Sequence, residues 1–150
     1  MKGFGDQNKF NKKPERISKA VTSSKEQIYR QAIQFHSKGN ISEAAKYYQY
    51  FINQGFKDYR VFSNYGIILK DLGKLQEAEL SYRKAIELNP DFAEAHSNLG
   101  NILSDLGKLH ELILLSESTL KSSSINQGYK LLASVRLTIA NLLKKDFSET

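Results

Sequence analysis

The sequence predicts an all-α protein, a solenoid of antiparallel helix pairs. Three observations lead there. The chain is self-similar at an offset of 34 residues: the segment from Tyr59 and the segment from Ala93 share Ser63/Ser97, Asn64/Asn98, Gly66/Gly100, Asp71/Asp105 and Gly73/Gly107. Stepping back by the same interval reaches a more divergent segment from Lys25. A fixed period of this length marks stacked helix–turn–helix units, none of which can bury its apolar face alone. Second, apolar residues recur at helical spacing, as in Phe62, Tyr65, Leu69 and Leu72, which share one helix face. Third, Gly39, Gly73 and Gly107 follow the first helix of each unit, where a left-handed cap is needed.

Residues 1–24 come first. They carry six basic and two acidic groups, a net +4 of the chain's +6, and few large apolar residues at no regular spacing. Such a segment cannot offset its ordering entropy by burial, so a disordered basic tail is expected. It lacks a dense Lys/Arg block and reads as a solvating tail rather than a nucleic-acid arm. It has no apolar run of the secretory kind. Nowhere in the chain do about 18 apolar residues run together, as a spanning helix needs. No membrane association is expected, and a cytoplasmic location is the default.

Three units follow, at 25–58, 59–92 and 93–126. Second helices are expected over 44–52, 75–88 and 109–120. Ser23 to Glu26 and Asp91 to Glu94 read as capping boxes, and Pro90 ends the helix before it. Gly66 interrupts a helix at a cost of about 1 kcal/mol relative to alanine, and its placement implies close packing against a neighbouring helix. The last stretch, 127–150, is also helical, with Leu132, Val135, Ile139 and Leu142 on one face. Lys145 to Thr150 resembles the turn and second-helix start at Gly39 to Ala44, given about four extra residues after the third unit. Two readings stand: a fourth unit cut short, which predicts an apolar patch around Leu137 and Leu142, or a single capping helix.

The middle unit, with Tyr65, Gly66, Gly73, Ala78, Tyr82, Ala85 and Pro90, closely resembles the tetratricopeptide (TPR) repeat. The first keeps Ala32, Gly39, Ala44 and Tyr48. The third keeps Leu99, Gly100 and Gly107 and then drifts. The resemblance implies a right-handed superhelical stack whose first helices line a concave groove. It places Arg30, Arg60, Asn64, Lys70, Asn98 and Asn101 on that face as candidate partner-binding residues. Three bases there (Arg30, Arg60, Lys70) meet four acids (Glu26, Asp71, Glu94, Asp105). Nucleic acid is therefore not expected in the groove, since its binding leans on phosphate neutralisation. Asn64 and Asn98 hold the same place in successive units, and an amide there can donate to and accept from an extended peptide backbone. His96 to Leu99 is similar to the asparagine-bearing repeats of the O-GlcNAc transferases.

No chemistry is expected. The chain has no Cys, which excludes a disulfide scaffold and a thiolate metal site. His36, His96 and His110 share no metal-ligand spacing, and neither a nucleophile-elbow motif nor a phosphate-binding Gly-rich loop is present. No cofactor is implied. The leading reading is a non-catalytic scaffold that holds an extended peptide or a protein partner on its concave face. The alternatives are the substrate-presenting part of a larger glycosyl- or sulfotransferase-like enzyme and, third, an RNA-binding helical repeat.

Overall fold

The structure is a computed structural model that describes residues 25–148. The basic tail and the first capping box, at Ser23 to Glu26, lie wholly or partly outside the described residues. Seven helices are described: α1 (Lys25–Ser37), α2 (Ile41–Asn53), α3 (Tyr59–Asp71), α4 (Leu75–Leu88), α5 (Ala93–Asp105), α6 (Leu109–Lys121) and α7 (Gln127–Ser148). The chain divides into two compact units between Phe56 and Lys57.

The first unit is a helical hairpin. Gly39 adopts φ +71° and turns the chain between α1 and α2. Asn40 then caps α2 by accepting a hydrogen bond from the Glu43 amide at 3.3 Å. The two helices meet through aromatics: Phe35 stacks on Tyr47 at 5.3 Å, and His36 meets Tyr48 edge-on at 6.2 Å. Gly55, also left-handed, follows α2, just before Phe56, which stands where the middle repeat has Pro90.

In the second unit, each helix from α3 to α6 packs on its successor and α6 packs on α7; α3 also touches α5, and α5 touches α7. The first helices α3 and α5 therefore share a layer with α7, backed by α4 and α6. Leu69, Tyr82, Leu99, Ile102, Leu103 and Leu112 anchor the core between the layers. The face expected at Phe62, Tyr65, Leu69 and Leu72 is only partly the buried one. Leu69 is buried, but Leu72 is exposed, and Val61 and Ile68 are buried instead. A helix flanked on two sides buries more than one stripe, and Leu72 falls at the helix end, where the chain turns.

Asp58 caps α3 by accepting from the Arg60 amide at 3.0 Å, a cap the sequence pattern did not single out. The capping box at Asp91 does not form. Phe92 holds the N-cap position of α5 without a side-chain bond, and Asp91 instead accepts from the Ser122 hydroxyl at 3.2 Å. Phe92 itself packs edge-on against Tyr59 at 4.8 Å.

The turn expected at Lys145 is absent. α7 runs unbroken from Gln127 to Ser148, 22 residues. At the place where Gly39, Gly73 and Gly107 stop the other first helices, this chain has Lys145, and the Leu142-Leu143-Lys144-Lys145 run favours continued helix. Ala133 and Ala140 are the buried residues of α7, seven apart, as Ala95 and Ile102 are in α5 and Val61 and Ile68 in α3. Leu137, expected in an exposed patch, packs partly buried on the core. Leu142 is exposed as expected.

Candidate functional site

Two of the three predicted asparagines stand at equivalent positions on neighbouring helices. Asn64 on α3 and Asn98 on α5 are half-buried. Neither amide has a hydrogen-bond partner among the described residues. Asn101, nearly one turn beyond Asn98, is exposed, and its Oδ1 accepts a hydrogen bond from Arg136 Nη2 at 2.6 Å. Lys70 is exposed on the last turn of α3.

Arg60 is paired at the start of its own helix. Its guanidinium folds back on Asp58, with Nε donating to Oδ1 at 3.0 Å and Nη2 to Oδ2 at 2.8 Å. A carboxylate two residues back, already fixed as the helix cap, presents the two oxygens that an arginine fork fits. Arg30 belongs to the first unit, where its Nε lies 3.4 Å from Glu26 one turn earlier. Ser63, next to Asn64, is buried, and its Oγ has no hydrogen-bond partner among the described residues.

Arg136 was not among the predicted residues. A signal for it existed: once about four extra residues are allowed after the third repeat, Arg136 falls where Asn64 and Asn98 fall in their units. Its placement has a packing cause. In the middle repeat a Cβ on Gly66 would lie 2.8 Å from the Tyr82 ring. One period on, Tyr82 becomes Ser116, which leaves room above Gly100. Arg136 reaches into that room from α7, and a Cβ on Gly100 would lie 2.7 Å from its Nη1. Burial pushes the Arg136 pKa below its usual value, which leaves an arginine charged at any physiological pH.

His96 opens the His-Ser-Asn-Leu run but lines no groove. It is buried, its Nε2 donates to the Pro90 carbonyl at 2.7 Å, and its Nδ1 lies 3.2 Å from Thr119 Oγ1. Its work is to tie the start of α5 to α6.

The face of α3 and α5 carries Lys70 against Asp71, Glu94 and Asp105, all exposed. With Arg60 occupied by Asp58, that face is more acidic than the sequence count suggests. Arg136 brings one cation to its α7 edge. Among the described residues no group of three or more His, Asp or Glu side chains could hold a metal ion. No described helix is long and apolar enough to cross a membrane.

A layer of parallel-register first helices with amides at one repeated position, backed by second helices, is now defined. Residues 66–107 match the family model of the TPR repeat. No curated protein matches the sequence. Solved TPR structures do match. The second TPR domain of human RPAP3, in complex with the HSP70 peptide SGPTIEEVD, gives a TM-score of 0.63 at 20% identity, over 79% of this chain and 98% of that one. The TPR2B domain of yeast Sti1, in its complex with pHsp70, gives 0.66 at 21% identity, over 79% and 97%. The Yersinia enterocolitica type III secretion chaperone SycD, with a peptide of the translocator YopD, gives 0.69 at 22% identity, over 81% and 97%. At such identities the likeness is one of fold, and the fold here is the all-α TPR arrangement.

Proposed function

We propose that this protein is a non-catalytic interaction scaffold and that it holds an extended peptide segment of a partner protein across α3 and α5. The supporting observation is the pair Asn64 and Asn98: two amides at one register position on adjacent first helices, half-buried and without partners among the described residues. Each can make one hydrogen bond with a peptide backbone, as donor or as acceptor, whatever the peptide's side chains. The peptide complexes of the TPR structures with the same fold support a segment of that kind. The likeness of His96 to Leu99 to the O-GlcNAc transferase repeats supports amides as the gripping groups.

On this reading α7 takes the first-helix place of a fourth unit, as the spacing of Ala133 and Ala140 suggests, and Arg136 and Asn101 close the amide row. Acids at Asp71, Glu94 and Asp105 favour a segment with basic residues near its amide-held stretch.

The test is capture by the whole chain as bait, followed by affinity measurement on the captured partner. Asn64→Ala with Asn98→Ala removes two hydrogen bonds of about 0.5–1.5 kcal/mol each, so affinity should fall about 5- to 150-fold while the helical signal and melting temperature hold. A double variant that binds as well as the parent ends the proposal.

A further inference from the structure

α5, α6 and α7 enclose a small cavity where the middle unit has a side chain. In that unit the Tyr82 ring fills the space beside Gly66; one period on, Ser116 stands for Tyr82 and Gly100 for Gly66. What is left is a space of about 10 Å³ walled by Gly100, Ser116 and Arg136, about enough for one water-sized species. Ser97 of α5 and Tyr129 of α7 complete the wall that matters here.

That wall is rich in hydrogen-bond donors and holds one uncompensated charge. Ser116 is only 3% exposed, and no hydrogen bond engages its hydroxyl among the described residues. Nor does one engage the hydroxyl of Ser97 or Tyr129. His96 and Thr119, also in the wall, spend their polar atoms on each other, on Pro90 and on Leu115. Arg136 Nη1 stands over Gly100. The guanidinium's hydrogen bond goes to a neutral acceptor, Asn101 Oδ1. Burial is the whole cause of the lowered Arg136 pKa, with no described carboxylate near enough to offset it. An arginine keeps its charge all the same, and a charge withdrawn from water costs free energy unless it is paired. No Asp or Glu lines the cavity, so the wall suits no cation.

We propose that this cavity binds a small monovalent anion, chloride, held by the Arg136 guanidinium and the hydroxyls of Ser97, Ser116 and Tyr129. An anion only accepts, and each of these groups has a proton to donate. Room for one water-sized species leaves none for phosphate, or for a side chain that carries a carboxylate. The ion bridges α7 to α5 and α6 and neutralises the one charge buried between them. This site does not rest on the reading of Asn64 and Asn98.

Chloride-35 NMR of the full chain tests the proposal, because exchange with an asymmetric protein site broadens the line of the free ion. Arg136→Gln removes the charge and should remove most of the broadening that the parent protein causes. Ser116→Ala removes one hydrogen bond to a charged partner and should weaken chloride about tenfold, with no cost to folding, since alanine fits where serine stands. Melting temperature gives a second reading, with gluconate replacing chloride at constant ionic strength. Chloride at about tenfold excess over its dissociation constant should raise the parent's melting temperature by about 3–6 °C, and that of Arg136→Gln by less than half as much. Broadening and stabilisation that survive Arg136→Gln overturn the proposal. So does a parent protein with no chloride-dependent effect, whose cavity then holds water alone. Should Arg136→Gln fail to fold, the Ser116→Ala titration decides: an affinity equal to the parent's overturns the site.

Discussion

Glycine in a helix interior gives up about 1 kcal/mol to alanine, so Gly66 and Gly100 must each make room for something, and the two neighbours differ in stiffness. At Gly66 the neighbour is the ring of Tyr82, itself fully buried in the core. At Gly100 it is the end of the Arg136 side chain, which can swing aside. Gly66→Ala is therefore expected to lower stability by up to about 2 kcal/mol, an overpacking cost of about 1–3 kcal/mol less the propensity gain of about 1 kcal/mol. Gly100→Ala should be neutral or stabilising by up to about 1 kcal/mol, at the expense of the Arg136–Asn101 bond. Urea unfolding of both variants checks the order, and a Gly66→Ala protein more stable than the Gly100→Ala protein would contradict it. Close packing at Gly66 was legible from its place in the repeat; its partner was not, because contacts between helices carry no local signature. The pairing of Arg60 was not legible for a related reason. Register assigns it to the groove, but a nearer carboxylate on Asp58 claims the guanidinium.

Between α4 and α6 the contact is ionic. Glu79 on α4 is buried, and its carboxylate accepts from Lys108 at the start of α6, at 2.8 and 3.1 Å, and from Arg83 at 3.0 and 3.1 Å. Arg83 also reaches Glu111 of α6. Burial alone would push the Glu79 carboxyl up; the Lys108 and Arg83 hydrogen bonds and charges outweigh it and hold the pKa below the usual carboxylate value. A carboxylate depressed in the folded state stabilises above its unfolded pKa of about 4.3 and loses that contribution as pH falls through the folded value. Glu79→Gln is expected to cost about 1–2 kcal/mol at neutral pH. That is less than for a fully buried pair, because the side chains of Arg83 (42%) and Lys108 (38%) keep partial access to water. The difference between parent and variant should shrink as pH drops from about 5 to about 3, read from urea midpoints. A gap that stays constant across that range would mean that the Glu79 charge is not what joins the helices. The elements themselves were largely legible: the second helices at 75–88 and 109–120 agree with α4 and α6 within a residue, because period and glycine caps reinforce one another. Of the two readings of the last stretch, the turn at Lys145 is the one the structure lacks: no glycine stands there, and α7 runs on to Ser148.

Over the whole chain, an even array of units was legible in the 34-residue period, and the division at Phe56/Lys57 was not. The period records how each unit is built, whereas cooperativity depends on which units share a core. Leu69, Tyr82, Leu99, Ile102, Leu112 and Ala140 form one buried cluster drawn entirely from Lys57–Thr150. A solenoid's stability is close to a sum of unit terms and neighbour terms, and a piece that keeps five helices and that cluster keeps most of both. One helical hairpin keeps neither, because short helices without a packed face are marginal in water. Lys57–Thr150 expressed alone is expected to retain its helical circular dichroism and unfold in one cooperative urea transition. Met1–Phe56 alone should show little helix and no transition. If Lys57–Thr150 instead melts without cooperativity, or Met1–Phe56 folds unaided, the shared core does not set the unit of folding.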